Sequence, residues 1–253
     1  MNKIKIVGEL IKESIFPRKC VFCGKPLGMK SYRDVADFKI RDDLCSICRE
    51  KAGCMYVKEP ACLKCGKEID DEAQEYCYDC SVHSHLYNRG FAVFKYNNEV
   101  KDAVYALKYK GCKIYGEFFG NEMADRYGNE IKRIKPQAVI PVPVHKTRKK
   151  KRGYNQAEVI AKQLSDRLGI PMDSEALFRV VPTKPQKELN KVLRRKNVEK
   201  AFKVSQNVVE YKKVILVDDI YTTGATIDAC AAVMRQAGVK EIYYISICIG
   251  AGV

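Results

Sequence analysis

The thirteen residues VILVDDIYTTGAT, positions 214–226, decide the fold. An apolar run over 214–217 ends in two adjacent carboxylates, Asp218 and Asp219. A short apolar run bounded by polar residues reads as a buried strand. A small polar loop follows, Thr222, Thr223, Gly224, Ala225 and Thr226. Residues 225–237 then read as a helix, with Gly238 as its C-cap. Strand, loop and helix N-terminus together make an anion cradle, because the loop supplies backbone N–H groups and hydroxyls where the helix dipole is positive. A phosphate suits the loop. The two carboxylates beside it suit sugar hydroxyls or a magnesium ion.

Outward from this motif, strand and helix alternate. FAVFKY (91–96) is a strand candidate, and Val100, Ala103, Val104 and Leu107 share one helical face within 99–110. Residues 115–131 form a second helical stretch, and AVIPVPV (138–144) is an apolar strand. Asn155 with Glu158 makes a capping-box pattern for a helix carrying Ile160, Leu164 and Leu168, stopped by Gly169 and Pro171. IYYISICI (242–249) is the last strand. Such alternation indicates an α/β fold with a mostly parallel sheet, whose ligands bind beyond the carboxyl ends of the strands.

The N-terminal third has another texture. Nine of the chain's 12 cysteines fall between positions 20 and 80, eight of them as four CxxC pairs: Cys20/Cys23, Cys45/Cys48, Cys62/Cys65 and Cys77/Cys80. A disulfide framework needs an oxidising compartment, and the opening MNKIKIVGELIKESIF lacks the continuous apolar segment of an export signal. Two CxxC pairs complete one closed tetrahedral zinc site, and a closed all-thiolate site is structural. The stretches CVFCGKPL and CLKCGKEI share C-x-x-C-G-K, so the segment reads as a repeat of two zinc knuckles in which the glycine takes a positive φ. The simplest assignment gives one zinc to Cys20, Cys23, Cys45 and Cys48 and a second to Cys62, Cys65, Cys77 and Cys80. The sequence leaves a crossed pairing open. His83 and His85 read as surface residues, and Cys112, Cys230 and Cys248 as small buried hydrophobes.

With 253 residues, a 46% apolar fraction and no long apolar run, the chain is neither a membrane channel nor a disordered tail, and no membrane insertion is expected. Its 46 Lys and Arg against 31 Asp and Glu leave a net charge of +15, which favours polyanionic partners. That charge is clustered. KTRKKKR (146–152) holds six basic residues in seven, among them Lys149, Lys150 and Lys151, and 184–203 adds eight against two acids. With Tyr109, Tyr115 and Tyr154 as aromatic faces, this is the chemistry that holds single-stranded nucleic acid.

The loop motif resembles the phosphoribosyl pyrophosphate (PRPP) loop of the type I phosphoribosyltransferases. Together with the CxxC pairs and the R-G-Y-N-Q at 152–156, nearly the whole chain is similar to the ComF family of competence proteins, of the ComFC type. The resemblance implies an α/β, type I phosphoribosyltransferase-like (Rossmann-like) fold with a mostly parallel sheet and a small N-terminal four-cysteine zinc-binding domain. The expected divisions are an extension at 1–17, a double CxxC zinc domain at 18–88 and a phosphoribosyltransferase-like domain at 89–253. Asp218 and Asp219 are then the catalytic carboxylates on the ribose hydroxyls of PRPP, and 222–226 hold its 5′-phosphate. Lys146, Arg148 and Arg152, after the strand at 138–144, hold the magnesium-bound pyrophosphate. Gln186, Arg195 and Asn197 match the family's lid. The implied reaction is displacement at the anomeric carbon, with turnover left open because no acceptor is identified. Purine-using members carry Asp where this chain has Thr222, and often Lys where it has Ala225, which argues against a purine acceptor. Residue 2 is Asn, so there is no N-terminal cysteine nucleophile for a glutaminase. The implied setting is cytoplasmic DNA uptake in natural competence, with single-stranded DNA and a competence helicase or membrane machinery protein as partners. Two alternatives stand beside it: a transferase without a DNA role, and a zinc-domain adaptor with a vestigial pocket.

Overall fold

A computed structural model of the chain describes residues 17–27, 43–181 and 201–250. The expected lid residues Gln186, Arg195 and Asn197 lie outside the described residues, as does all but the end of the expected 1–17 extension. The elements, in chain order, are α1 (Ser46–Met55), α2 (Tyr78–Val82), β1 (Arg89–Lys95), α3 (Asn98–Tyr109), α4 (Lys113–Ile134), β2 (Ala138–Pro141), α5 (Lys146–Arg152), α6 (Gln156–Leu168), β3 (Leu177–Arg179), β4 (Phe202–Val204), β5 (Lys213–Tyr221), α7 (Ala225–Gln236) and β6 (Glu241–Ile249).

Four strands form one sheet in the order β1-β6-β5-β2, and every pairing is parallel. The expected α/β architecture is therefore present. The strands alternate their side chains between two layers, as a period of two requires. Ile215 and Val217 of β5 join α3, α4 and α6 on one face. Val214 and Leu216 join α7 on the other. β3 and β4 form a separate antiparallel pair that packs against α7. Asn155 caps α6, its side chain accepting from the Ala157 N–H at 3.2 Å. The expected capping box is only half made, because the Glu158 carboxylate turns to Lys149 at 2.9 Å.

Both knuckles are built alike. Gly24 and Gly66 take φ of 70° and 72°, and their N–H groups return to the carbonyls of Cys20 and Cys62. The sulfurs of Cys20, Cys23, Cys45 and Cys48 gather in one cluster and those of Cys62, Cys65, Cys77 and Cys80 in another, each within 4.8 Å of one another. This is the uncrossed pairing. The Cys23–Cys45 and Cys65–Cys77 sulfurs are 3.7 Å apart. Tetrahedral zinc with bonds of about 2.3 Å requires sulfurs about 3.8 Å apart, so the donor sets fit the ion.

The two ribbons straddle the edge strand β1. The first packs Phe22 edge-on against Phe94 at 5.7 Å, in the layer of α3 and α4. The second lies in the layer of α7. Between them the Val57 N–H donates to the Val93 carbonyl at 3.0 Å, and Gly90 donates to Lys64 at 2.8 Å. The exposed edge that β1 would otherwise offer to another chain is thereby covered.

Gly90 is required where it stands. A Cβ there would lie 2.0 Å from the Tyr244 ring, which is fully buried and donates to the Cys65 carbonyl at 2.8 Å. Gly90→Ala is expected to cost about 3 kcal/mol, the upper range for overpacking, read as a lowered midpoint in urea unfolding. Cys77→Ser is expected to reduce bound zinc from two ions per chain to one by elemental analysis, because the two clusters share no ligand.

Candidate functional site

The carboxyl ends of β2 and β5 lie side by side, and the site is built there. β5 runs through both aspartates to Tyr221, further than the expected strand end at 218. Alternation along the strand sends the two carboxylates to opposite layers. Asp219 faces α3 and accepts from the Lys108 ammonium at 2.8 Å, with both side chains largely buried. Asp218 faces β3 and α7, where Arg179 attracts it. Its carboxyl is raised to about 7, first by burial and then by the charge of Asp219. The Asp219 N–H, Lys108 and Arg179 oppose that rise.

The loop after Tyr221 turns at Gly224, whose φ of 75° places it as the N-cap of α7. Ala225 is buried in the first turn, and Thr222, Thr223 and Thr226 are half-buried. The turn is tight. A Cβ on Gly224 would lie 2.6 Å from the Tyr221 hydroxyl and 2.9 Å from the His85 ring. The His85 side chain is 2% exposed and bonds Asp228 in the first turn of α7 at 2.7 Å. The expectation of a surface residue is thus corrected for His85, which wedges behind the loop. His83 is exposed as expected. Cys230 and Cys248 are buried as expected, whereas Cys112 is only half-buried beside the start of α4.

The basic run 146–152 forms the short helix α5, closed by Gly153 at φ 81°. Three of the seven positions stand apart by their partners. Arg148 is lowered by burial and by the neighbouring Arg152, and is attracted by Tyr109 and Asp219. It therefore lies on the side of Asp219. Arg152 donates to Gln156 at 2.8 Å and to the Tyr109 hydroxyl at 3.0 Å, and lies over the Tyr109 ring. Lys149 is held by Glu158. Lys146, Lys150 and Lys151 are exposed. Of the three tyrosines expected as aromatic faces, only Tyr109 is exposed, and it packs against exposed Tyr105 at 4.8 Å. Tyr115 and Tyr154 are core residues whose hydroxyls donate to the carbonyls of Cys20 and Leu107.

Two cations at the site carry no signal in the sequence. Lys108 is 111 positions from the aspartate it pairs with. Arg179 ends β3, lies over the Phe202 ring at 5.2 Å, and is lowered by burial and by Arg148. Arg148 and Arg179 thus approach the carboxylates from two separate segments. The arrangement gives two acceptors, an N–H-rich loop and converging cations on one rim. It can hold a sugar phosphate at the loop and a second anionic group at the arginines.

Both parts of the chain resemble known proteins. Residues 11–81 match the double zinc ribbon domain, and residues 150–251 match the phosphoribosyl transferase domain. Competence protein F of Haemophilus influenzae is 31% identical over 207 residues, spanning 80% of this chain and 88% of its own. Competence protein ComFC of Streptococcus pneumoniae is 28% identical, spanning 88% and 96%. DNA utilization protein YhgH of Escherichia coli O157:H7 is 33% identical over 113 residues, spanning 45% and 49%. A four-stranded parallel sheet with a loop of phosphoribosyltransferase type, two four-cysteine ribbons before it, and this likeness over most of both chains lead to one assignment: the chain belongs to the ComF family of competence proteins.

Proposed function

We propose that this protein binds PRPP with magnesium at the carboxyl edge of its sheet, holds single-stranded DNA on α5, and serves DNA uptake in the cytoplasm. The observation that carries the reading is the convergence of Lys108, Arg148 and Arg179 on Asp218 and Asp219, at the end of the strand that leads into the loop 222–226. In this reading the carboxylate oxygens accept from the ribose hydroxyls, and the loop N–H groups and threonine hydroxyls take the 5′-phosphate. Lys146, Arg148, Arg152 and Arg179 face the pyrophosphate. Magnesium, when bound, neutralises part of the pyrophosphate charge and makes it a better leaving group. What the chain itself contributes is orientation and charge stabilisation. Gln186, Arg195 and Asn197 are proposed as a lid, and the divisions 1–17, 18–88 and 89–253 as the domain plan. Zinc in the two ribbons is structural.

The names of the relatives, competence protein and DNA utilization protein, support the DNA role. The basic, exposed face of α5, with Tyr105 and Tyr109 beside it, suits a strand's phosphates and bases. The second ribbon does not suit phosphates, because Asp70, Asp71, Glu72 and Glu75 are exposed on it. It favours a second reading as a protein-docking module, with Leu63, Tyr76, Tyr78 and Val82 exposed on the same ribbon. No helix among the described residues is long and apolar enough to cross a membrane.

Calorimetric titration of the zinc-loaded protein with magnesium and PRPP is expected to saturate. The double variant Asp218→Asn, Asp219→Asn is expected to weaken binding about 100-fold, and Arg179→Ala about ten-fold, that is roughly 2.7 and 1.4 kcal/mol. Absence of wild-type binding would end the PRPP reading. For DNA, Lys150→Glu with Lys151→Glu is expected to reduce the slope of log affinity against log salt by about 1.4 on single strands, two phosphate contacts at roughly 0.7 each. An unchanged slope would remove α5 from the interface.

A further inference from the structure

Residues 85–88 lead from the second ribbon into β1 and lie along the sheet and α7 as a strap. Each of the four is bonded there. His85 Nδ1 donates to Asp228 Oδ2 at 2.7 Å, because a carboxylate only accepts. The Leu86 N–H donates to Asp228 Oδ1 at 2.9 Å. The hydroxyls of Tyr87 and Tyr221 bond at 2.7 Å. The Asn88 side-chain oxygen accepts from the Ile242 N–H at 2.9 Å and from Arg235 at 3.2 Å. Arg235, in the last turn of α7, also donates to the Leu86 carbonyl at 2.6 Å. The strap is thus fixed to both ends of one helix, by Asp228 at its start and Arg235 at its end.

Asp228 is an awkward neighbour for an anion site. It lies in the first turn of α7, the helix whose N-cap is Gly224 of the phosphate loop. Helical side chains lean toward the N-terminus, so a carboxylate in that turn is drawn to the positive end of the dipole. Phosphate needs the same end. Here both carboxylate oxygens are taken up by the strap instead. The ring that holds one of them is fixed in turn. His85 stacks on Tyr87 at 5.0 Å, with its side chain 2% exposed. The edge that bonds Asp228 also abuts the N-cap, since a Cβ on Gly224 would lie 2.9 Å from His85 Cε1 and 3.1 Å from Nδ1. Neither donor belongs to the loop motif or to α7.

We propose that His85 is a positioning residue of the phosphate loop: it holds the Asp228 carboxylate on the strap and so keeps the N-terminus of α7 open to a sugar 5′-phosphate. This rests on the phosphoribosyl reading of the loop 222–226 and adds the control of that site. Both donors to Asp228 come from the strap, so the anion site is competent only while the strap is docked. When the strap lifts, the carboxylate loses both donors and turns to the positive end of its own helix, in competition with phosphate.

The test is a double-mutant cycle, read by calorimetric titration of the full zinc-loaded chain with ribose 5-phosphate. His85→Leu keeps the bulk of the ring and removes the donor. It is expected to weaken ribose 5-phosphate about ten-fold. Asp228→Asn removes the charge at nearly the same shape and is expected to bind at least as tightly as the wild type. The two together are expected to return to within about two-fold of the wild type, because no carboxylate is left to restrain. Elemental analysis for zinc in both clusters checks that the ribbons are intact in each variant. If His85→Leu loses zinc, His85→Gln takes its place in the cycle and keeps a polar group at the buried position. A histidine that merely props the loop predicts a double variant as weak as the single one. That result, wild-type affinity in the His85 variant, or weaker binding by Asp228→Asn alone would overturn the proposal and leave the loop reading standing. Absence of wild-type binding to ribose 5-phosphate would overturn the loop reading and the proposal together.

Discussion

The rest of the molecule depends on one seam, where the knuckle of the second ribbon lies against the start of β1. The approach is close enough to exclude side chains from the backbones on both sides. A Cβ on Gly66 would lie 2.8 Å from the Gly90 carbonyl, and one on Gly90 would enter the Tyr244 ring. Glycine on each side lets the Gly90 N–H reach the Lys64 carbonyl and lets Tyr244 reach Cys65. Tyr244 in turn stacks on Tyr221, and Tyr221 immediately precedes the phosphate loop. A chain of three contacts thus runs from the metal cluster to the anion site. The thiolates need no part in chemistry for the zinc to matter there.

The second organising constraint is strand alternation. Two aspartates in a row on a strand cannot face the same way, so each meets its own environment. Asp219 has a lysine at hydrogen-bond distance, whereas Asp218 is buried near Cys230 and is raised to about 7. Burial therefore makes charge costly on Asp218. The cations that balance them come from α3, α5 and β3, so the rim closes only when all three segments are in place.

What was legible in the sequence is what is local. The β5–α7 turn, the glycine of each knuckle and the C-x-x-C spacing are set by neighbours a few positions apart. The structure carries each of them. What was not legible lies at long separation. Lys108 and Arg179 reach the carboxylates from 111 and 39 positions away, and His85 reaches Asp228 across 143. No local pattern marks them. Tyr115 and Tyr154 were misread for a different reason. A tyrosine with a carbonyl within reach of its hydroxyl loses little by burial, so its presence in a basic segment does not make it a surface ring. Residues 146–152 contain no helix breaker, and Gly153 ends the turn they form.

The order of the sheet also dictates when the fold can be completed during synthesis. β1 lies at one edge, and its only neighbour in the sheet is β6, the last strand of the described chain. Arg89 pairs with Tyr243, so most of the polypeptide separates the two partners. The same delay applies to the seam, because Tyr244 must arrive before the Cys65 carbonyl has its donor. On a ribosome the ribbons emerge before β6, able to gather their thiolates, yet the second ribbon's docking partner Tyr244 comes only with the last strand. Contacts of such long range are slow to form. The nascent chain therefore passes through a stage in which the metal modules are present while the edge of β1 stays open, and translation of the final strand is the event that closes it.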